Sequence, residues 1–245
     1  MSVFSDDYLK QELDFYGTAK YDKGSVMIKE STLQGRCDDY LNVNFRAGEV
    51  SVPIMYINGS IWMSITYMEV QSMFIPIAVA EGRVGLGGLG MGYAPLRIAE
   101  KEEVDSIDIY ENNKDVIKFF TDKFKNRKGF KKINIIFGDM RRKLKGKTYD
   151  FFFNDIYQRL LPEEVVADAV KIKRENEIET YHFWGQEKAL LSAANYELIR
   201  ASYFTYREAQ YFRDFIESDN SGMFRPVSDI SFLKKCLKAI DRPCR

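Results

Sequence analysis

The chain has 245 residues, which is enough for one sizeable core with a smaller accessory unit. Hydrophobic residues make up 45% of it, and this share excludes a disordered or collagen-like chain. Because 36 Lys and Arg balance 36 Asp and Glu, the composition also excludes a protein that coats nucleic acid through overall positive charge.

Residues 1–75 are predicted to form a β-rich amino-terminal module. It begins with a short amphipathic helix at residues 6–15 and continues with strands at 25–31, 49–57 and 60–67. Between the last two strands stands Asn58-Gly59, the preferred dipeptide of a two-residue hairpin turn. A helix at residues 69–80 is predicted to lead into the next unit.

Residues 76–205 alternate strand and helix patterns, which is typical of a parallel sheet covered on both faces. Predicted strands lie at 83–87, 106–110, 133–137, 150–154 and 179–184, and predicted helices at 94–100, 114–125, 162–175 and 186–201. Residues 206–245 are predicted to form a helical tail, with helices at 206–216 and 228–240. The predicted fold class is therefore α/β, a doubly wound Rossmann-like sheet after a small β-rich module.

A glycine-rich segment, VGLGGLGMGY, lies at the first predicted strand-to-helix junction of this sheet. Glycine lets a ligand lie against the backbone, and helix N–H groups face such a ligand, so a nucleotide-type cofactor is expected. Two registers fit the segment. A GxGxxG dinucleotide fingerprint begins at Gly85, with Glu111 at the distance of a ribose ligand. The other register uses three alternate glycines, Gly88, Gly90 and Gly92.

Three successive predicted strands each deliver a carboxylate at or just after their end: Glu111, Asp139 and Asp155. The carboxyl ends of parallel strands meet at one edge, where open α/β sheets bind ligands. The series resembles the class I S-adenosylmethionine-dependent methyltransferases, and most closely their spermidine-synthase-like branch. This resemblance covers roughly residues 73–184, and S-adenosylmethionine is the cofactor it implies.

The resemblance also implies roles for individual residues. The loop of Gly88, Gly90 and Gly92 would lie under the methionine part of the cofactor, and Glu111 would hold the ribose hydroxyls. Asp139, followed by Met140, would contact the adenine. The candidate catalytic residues are Asp155 and Tyr157, beside the transferring group. Carboxylates and backbone dipoles suit a positively charged sulfur, whereas NAD would bring a pyrophosphate.

The leading function is a methyltransferase whose acceptor, a small molecule or a macromolecule, stays open. The segment Asn154-Asp-Ile-Tyr157 lacks the two prolines of an Asn/Asp-Pro-Pro-Tyr segment, so nucleobase amino methylation is not favoured. Spermidine synthases are expected to have an Asp-x-x-Asp-Pro segment here, and this chain has Asp155 without the Asp-Pro that should follow it. Aminopropyl transfer remains an alternative, as does a non-catalytic cofactor-binding or interaction protein of the same fold.

Several features also have simple structural explanations. Asp139 fits an ordinary turn, Asp155 a helix cap, and the sole histidine, His182, a packed core position. Twelve Lys and Arg with two Asp stand between Lys118 and Lys147. Nucleic-acid contact through this stretch is open, but a solvated helix face is favoured.

Cys37, Cys236 and Cys244 are widely separated, so we expect reduced thiols and neither a disulfide framework nor a metal site. The acidic amino terminus does not resemble a signal peptide, and no apolar stretch reaches the roughly 20 residues of a membrane helix. The sequence therefore predicts a cytoplasmic protein without a membrane partner and leaves the oligomeric state open.

Overall fold

A computed structural model describes residues 6–17, 20–37, 40, 46–194 and 206–224 of the chain. It contains two sheets. The amino-terminal sheet is antiparallel in the order β1-β2-β3-β4. Its strands are β1 (Tyr21–Lys23), β2 (Val26–Cys37), β3 (Arg46–Ile57) and β4 (Ser60–Ser64).

The second sheet is parallel and has the order β7-β6-β5-β8-β9. Its strands are β5 (Gly82–Gly87), β6 (Val104–Glu111), β7 (Ile133–Phe137), β8 (Thr148–Asn154) and β9 (Glu177–Phe183). The chain builds outward from β5 through β6 and β7, then returns to the other side of β5 for β8 and β9. This reversal makes the sheet doubly wound, and the predicted α/β fold class is confirmed.

The described helices are α1 (Asp6–Tyr16), α2 (Tyr67–Ser72), α3 (Phe74–Val79), α4 (Tyr93–Glu100), α5 (Lys114–Phe124), α6 (Met140–Lys143), α7 (Glu164–Glu175), α8 (Gln186–Ala194) and α9 (Tyr206–Glu217). Most predicted elements agree with the structure within two residues at each end. The predicted helix at 228–240 and the end of the one at 186–201 lie outside the described residues. Within the described ranges, no helix is long and apolar enough to cross a bilayer.

The prediction of one continuous helix at 69–80 is wrong. The chain forms α2 and α3 with a break at Met73. Pro76 has no backbone N–H to donate, and in the interior of a helix its ring would clash with the carbonyl of the residue four positions earlier. Proline is tolerated in the first turn of a helix, so a new helix begins just before Pro76. This break separates the cleft-facing α2 from the segment that enters β5.

The amino-terminal strands also differ from their predicted limits. Strand β2 continues to Cys37 because it pairs residue for residue with β3, which begins at Arg46. The predicted strand at 60–67 ends at Ser64, and Tyr67 already opens α2. The hairpin turn is confirmed, since Asn58 and Gly59 both have positive φ, 52° and 81°, as a type I′ turn requires.

The two sheets share one hydrophobic core. Val84 and Leu86 of β5 are buried in the same cluster as Val26, Ile28 and Met55 of the antiparallel sheet. The side chains pointing into this cluster alternate along each strand, as the two-residue period requires. The amino-terminal sheet therefore packs against the parallel sheet.

Helix α1 fastens this arrangement to the glycine segment. The guanidinium of Arg97 on α4 donates to both carboxylate oxygens of Glu12, over 2.7 and 2.8 Å. Tyr93 also donates to Glu12, over 2.7 Å, and Tyr16 donates to the carbonyl of Met91 over 2.9 Å. A bidentate, partly buried contact between a guanidinium and a carboxylate fixes the orientation of both side chains, so α1 holds α4 in place.

Candidate functional site

A cavity of about 530 Å³ opens at the carboxyl edge of the parallel sheet, where the strand order reverses. This is the position at which doubly wound sheets bind ligands, and the volume lies in the usual range for small-molecule sites. The glycine segment, the ends of β6 and β8, helix α2 and strand β4 all contribute to its walls. We refer to this cavity as the cleft.

The glycines of the second register form the loop beside the cleft. Gly88, Gly90 and Gly92 have φ values of 89°, 51° and 82°, which favour glycine over any other residue. A Cβ on Gly88 would run into the carbonyl of Asp155, and one on Gly92 into the ring of Phe120. Gly88 and Gly92 are therefore required for close packing of the loop. At Gly90 an added Cβ would instead meet a side chain that lines the cleft.

The side chain next to Gly90 is that of Met63 on strand β4. A Cβ on Gly90 would come within 2.7 Å of the Met63 Sδ, and the Met91 N–H donates to the same sulfur over 3.1 Å. The side chain of Met63 lines the cleft together with its neighbours Ile61 and Trp62. The antiparallel sheet thus forms one wall of the cleft, a role that the sequence did not indicate.

Glu111 ends β6 and is almost fully buried on the cleft wall. Its carboxylate accepts hydrogen bonds from the backbone N–H groups of Leu89, over 3.1 Å, and Asn113, over 2.7 Å. Burial raises the pKa of Glu111, and the backbone donors oppose this shift. Each carboxylate oxygen has a further lone pair, so the residue can still accept from a ligand hydroxyl.

Asp139 and Met140 lie on the cleft wall after β7. Asp139 caps the short α6 by accepting from the Arg141 N–H over 2.9 Å, and Met140 is buried beside it. The sequence offered an ordinary turn as the structural explanation for Asp139, and the structure shows a helix cap there instead. The cap uses one carboxylate oxygen, and the guanidinium of Arg142 lies 3.8 Å from the other.

Asp155 follows β8 and shares the cleft with a carboxylate that the sequence analysis missed, Glu69 on α2. Burial raises the pKa of Asp155 to about 7. Burial and the charge of Asp155 together raise the pKa of Glu69 well above its usual value. Within the described part of the chain no cation pairs with either group. At neutral pH this carboxylate pair therefore tends to hold a proton.

One signal in the sequence pointed to Glu69. It is the single charged residue in the largely apolar run from Tyr67 to Ala80, where a charge is costly without a purpose. Its proximity to Asp155 depends on how α2 crosses the end of β8, which no local pattern reports.

Tyr157 lines the cleft, and its hydroxyl belongs to a polar network with Asn154 and Asp168. The hydroxyl donates to Asp168 over 2.9 Å and accepts from the Asn154 amide over 2.8 Å. Asp168 is also held by the Arg141 guanidinium through two bonds of 2.8 Å. Burial, with the charge of Asp168, raises the pKa of Tyr157. The hydroxyl is thus committed to a structural contact, and its catalytic role stays a prediction.

His182 is 1% exposed on β9, outside the cleft lining. Its Nε2 lies 3.0 Å from a carboxylate oxygen of the buried Glu187, and its ring packs against Phe153 at 5.5 Å between centroids. This is the packed environment that the sequence analysis favoured for the lone histidine.

The basic stretch between Lys118 and Lys147 is spread over α5, β7 and α6. Its aromatic residues Phe119, Phe120 and Phe124 are buried in the core and offer no surface for stacking on a nucleic acid. The cause is helical periodicity, since one face of α5 packs inward.

No protein-family model matches the chain, and no curated protein matches its sequence significantly. Solved structures do match its fold. The methyltransferase PaMTH1 of Podospora anserina, bound to SAH, has 14% identity and a TM-score of 0.40, covering 64% of this chain and 72% of that one. A spermidine synthase in complex with the transition-state analogue AdoDATO has 10% identity and a TM-score of 0.37, covering 53% and 49%.

The methyltransferase CcbJ of Streptomyces caelestis has 15% identity and a TM-score of 0.35, covering 43% of this chain and 46% of that one. The chain matches about half the length of CcbJ and of the spermidine synthase. At such low sequence identities and TM-scores, the similarity of this chain to these structures concerns the fold alone. What the cleft does follows from its own geometry.

Proposed function

We propose that the protein is an S-adenosylmethionine-dependent methyltransferase. The observation that carries this proposal is the convergence of Glu111, Asp139 and Asp155 with the left-handed loop of Gly88 and Gly90 on one cleft at the reversal point of the sheet. A loop of this kind lets a ligand approach the backbone, and the carboxylates supply acceptors for hydroxyl and amine donors.

The charge of the cleft suits a sulfonium cofactor. Among the described residues that line it, four are acidic, Glu69, Glu111, Asp139 and Asp155, and Arg141 is the one cation. The Arg141 guanidinium is already bonded to Asp168. A dinucleotide would therefore place its pyrophosphate among carboxylates without a free cation, whereas a positively charged sulfur is favoured there.

Each residue that lines the cleft has its own role in this proposal. Glu111 accepts hydrogen bonds from the ribose hydroxyls, Asp139 and Met140 border the base, and the loop at Gly90 borders the amino-acid part. When bound, the cofactor supplies an electrophilic methyl group. Asp155 and Glu69 also line the cleft, where they hold the acceptor and take up the proton that it loses. Methyl transfer depends chiefly on such positioning.

A calorimetric titration with S-adenosylmethionine, S-adenosylhomocysteine and NAD tests the cofactor assignment. We expect both sulfur ligands to bind with one site per chain and NAD to bind at least about tenfold more weakly. Preferential binding of NAD, or no binding of either sulfur ligand, overturns the proposal. Turnover with a bound acceptor then separates an enzyme from a non-catalytic binding protein.

Aminopropyl transfer is the second candidate, and the acidity of the cleft favours it. The decarboxylated cofactor lacks the one negative group that the four carboxylates would repel. Titration with decarboxylated S-adenosylmethionine separates the two functions, because an aminopropyltransferase would bind it more tightly than the intact cofactor.

A further inference from the structure

Strand β4 departs from regular pairing where it meets the cleft. Ile61 is opposite Tyr56 and Met63 is opposite Met55, so Trp62 is an additional residue without a partner on β3. In a regular strand neighbouring side chains point to opposite faces, and a bulge redirects them. As a result Ile61, Trp62 and Met63 all line the cleft.

Two of these side chains are unusually exposed for their type. Ile61 is 67% exposed and Trp62 is 46% exposed. Neighbouring apolar side chains that stay exposed while they line a cavity provide a surface that a ligand can cover. Since Met63 is committed to the glycine loop, Ile61 and Trp62 are the pair left for a second molecule.

The same cleft is also lined by acidic and aromatic residues. Glu69 and Asp155 line it without a cationic partner among the described residues. The indole of Trp184 lines it too and is held by its N–H, which donates to the Ser72 hydroxyl over 3.0 Å. Carboxylates and an indole face both attract a cation, and they repel a polyanion such as nucleic acid.

We propose that the acceptor is a small amine, protonated in solution, that carries a flat apolar or aromatic group. Trp62 and Ile61 hold the apolar group at the mouth of the cleft, and Glu69 and Asp155 hold the nitrogen. Trp62 is therefore the specificity-determining residue. The assignment of methyl transfer to this amine rests on the function proposed above.

The chemical step balances when S-adenosylmethionine is the methyl donor and the carboxylate pair is the proton acceptor. The ammonium gives one proton to the carboxylate pair, and the freed lone pair on nitrogen forms the new N–C bond. The S–C bond breaks, and its electron pair stays on sulfur, which loses its positive charge. The methylated nitrogen then carries the charge and is again held by the carboxylates.

Calorimetry with two probe amines of similar basicity tests the proposal on the full chain saturated with S-adenosylhomocysteine. We expect 2-phenylethylamine to bind at least about tenfold more tightly than n-butylamine. Trp62→Ala should abolish this preference, Trp62→Phe should keep most of it, and Glu69→Gln should weaken both amines to a similar degree. Tyr211→Ala, at an aromatic of 51% exposure on α9, is the matched control and should change nothing.

Equal binding of the two amines, or a preference that survives Trp62→Ala, overturns the inference, as does tighter binding of a short RNA oligonucleotide than of either amine. The proposed function fails in a different way, through loss of S-adenosylhomocysteine binding in the unsubstituted protein. The same amine titrations without that ligand still report on Trp62. The two failures are therefore distinguishable.

Discussion

Glu111 accepts a hydrogen bond from the backbone N–H of Leu89 over 3.1 Å, so the acid at the end of β6 braces the glycine loop that it faces. The second carboxylate oxygen accepts from the Asn113 N–H. A ribose at this position, as proposed above, would therefore bind to a residue that also fixes the shape of the loop. Cofactor affinity and loop stability are linked through one side chain.

Replacing Glu111 with alanine should affect both properties. It leaves two backbone N–H groups without their acceptor, which costs about 1–3 kcal/mol in the free energy of unfolding. Loss of the charge-assisted bonds to the ribose should weaken S-adenosylhomocysteine binding roughly 10- to 100-fold. Urea denaturation and calorimetry measure the two effects, with Glu102→Ala, an exposed acid before β6, as control. Unchanged affinity in a folded Glu111→Ala protein would remove it from the cofactor site.

Gly90 can be tested against a glycine with the same backbone strain. Gly90 and Gly146 have φ values of 51° and 63°, so alanine at either position costs a similar amount, about 1–2 kcal/mol. Only at Gly90 does the new Cβ meet another atom, the Sδ of Met63 at 2.7 Å, while Gly146 has open space. We expect Gly90→Ala to weaken binding of S-adenosylhomocysteine at least about tenfold and Gly146→Ala to leave it unchanged. Equal affinities in both variants would contradict the chosen register.

Asp155 should make stability depend on pH. Its pKa is about 7 in the folded protein and about 3.9 in the unfolded chain. Between these values the folded protein keeps a proton that the unfolded chain releases, so the free energy of unfolding falls as pH rises from about 4 to 7. The raised pKa of Glu69 acts in the same direction.

Asp155→Asn should therefore flatten this pH dependence. Compared with the unsubstituted protein, the variant should gain more stability at pH 8 than at pH 4. Guanidinium denaturation at both pH values measures the difference, and Asp105→Asn, an exposed acid on β6, controls for surface charge. A gain of the same size at both pH values would contradict the raised pKa.

Tyr157→Phe separates a structural from a catalytic hydroxyl. The change removes the donor to Asp168 and the acceptor for Asn154, so the free energy of unfolding should fall by about 1–2 kcal/mol. Affinity for S-adenosylhomocysteine and turnover per folded molecule should remain within about twofold. Tyr211→Phe, at a tyrosine that is 51% exposed, is the control for stability. A large loss of turnover without a loss of stability would support the prediction that Tyr157 is a catalytic residue.

Several features of the fold follow from local patterns in the sequence. Strand β7 was predicted to the residue, and Asn58-Gly59 formed the expected turn, because strand alternation and the positive φ of a type I′ turn are properties of neighbouring residues. The meeting of Glu111, Asp139 and Asp155 was also predictable. In a parallel sheet all strand ends lie at one edge, so chain order alone places these acids together.

Other features were decided only by tertiary packing. Glu69 lies close enough to Asp155 for their charges to interact, and the Met63 sulfur contacts the loop at Gly90. The hydroxyl of Tyr157 donates to Asp168. In each case the partner is supplied by a different element, and local periodicity does not report how two elements cross. The sequence thus determined which edge of the sheet carries the chemistry. Packing of the antiparallel sheet and α2 against that edge decided which side chains enclose the cleft, because shape and burial are settled between elements and not within them.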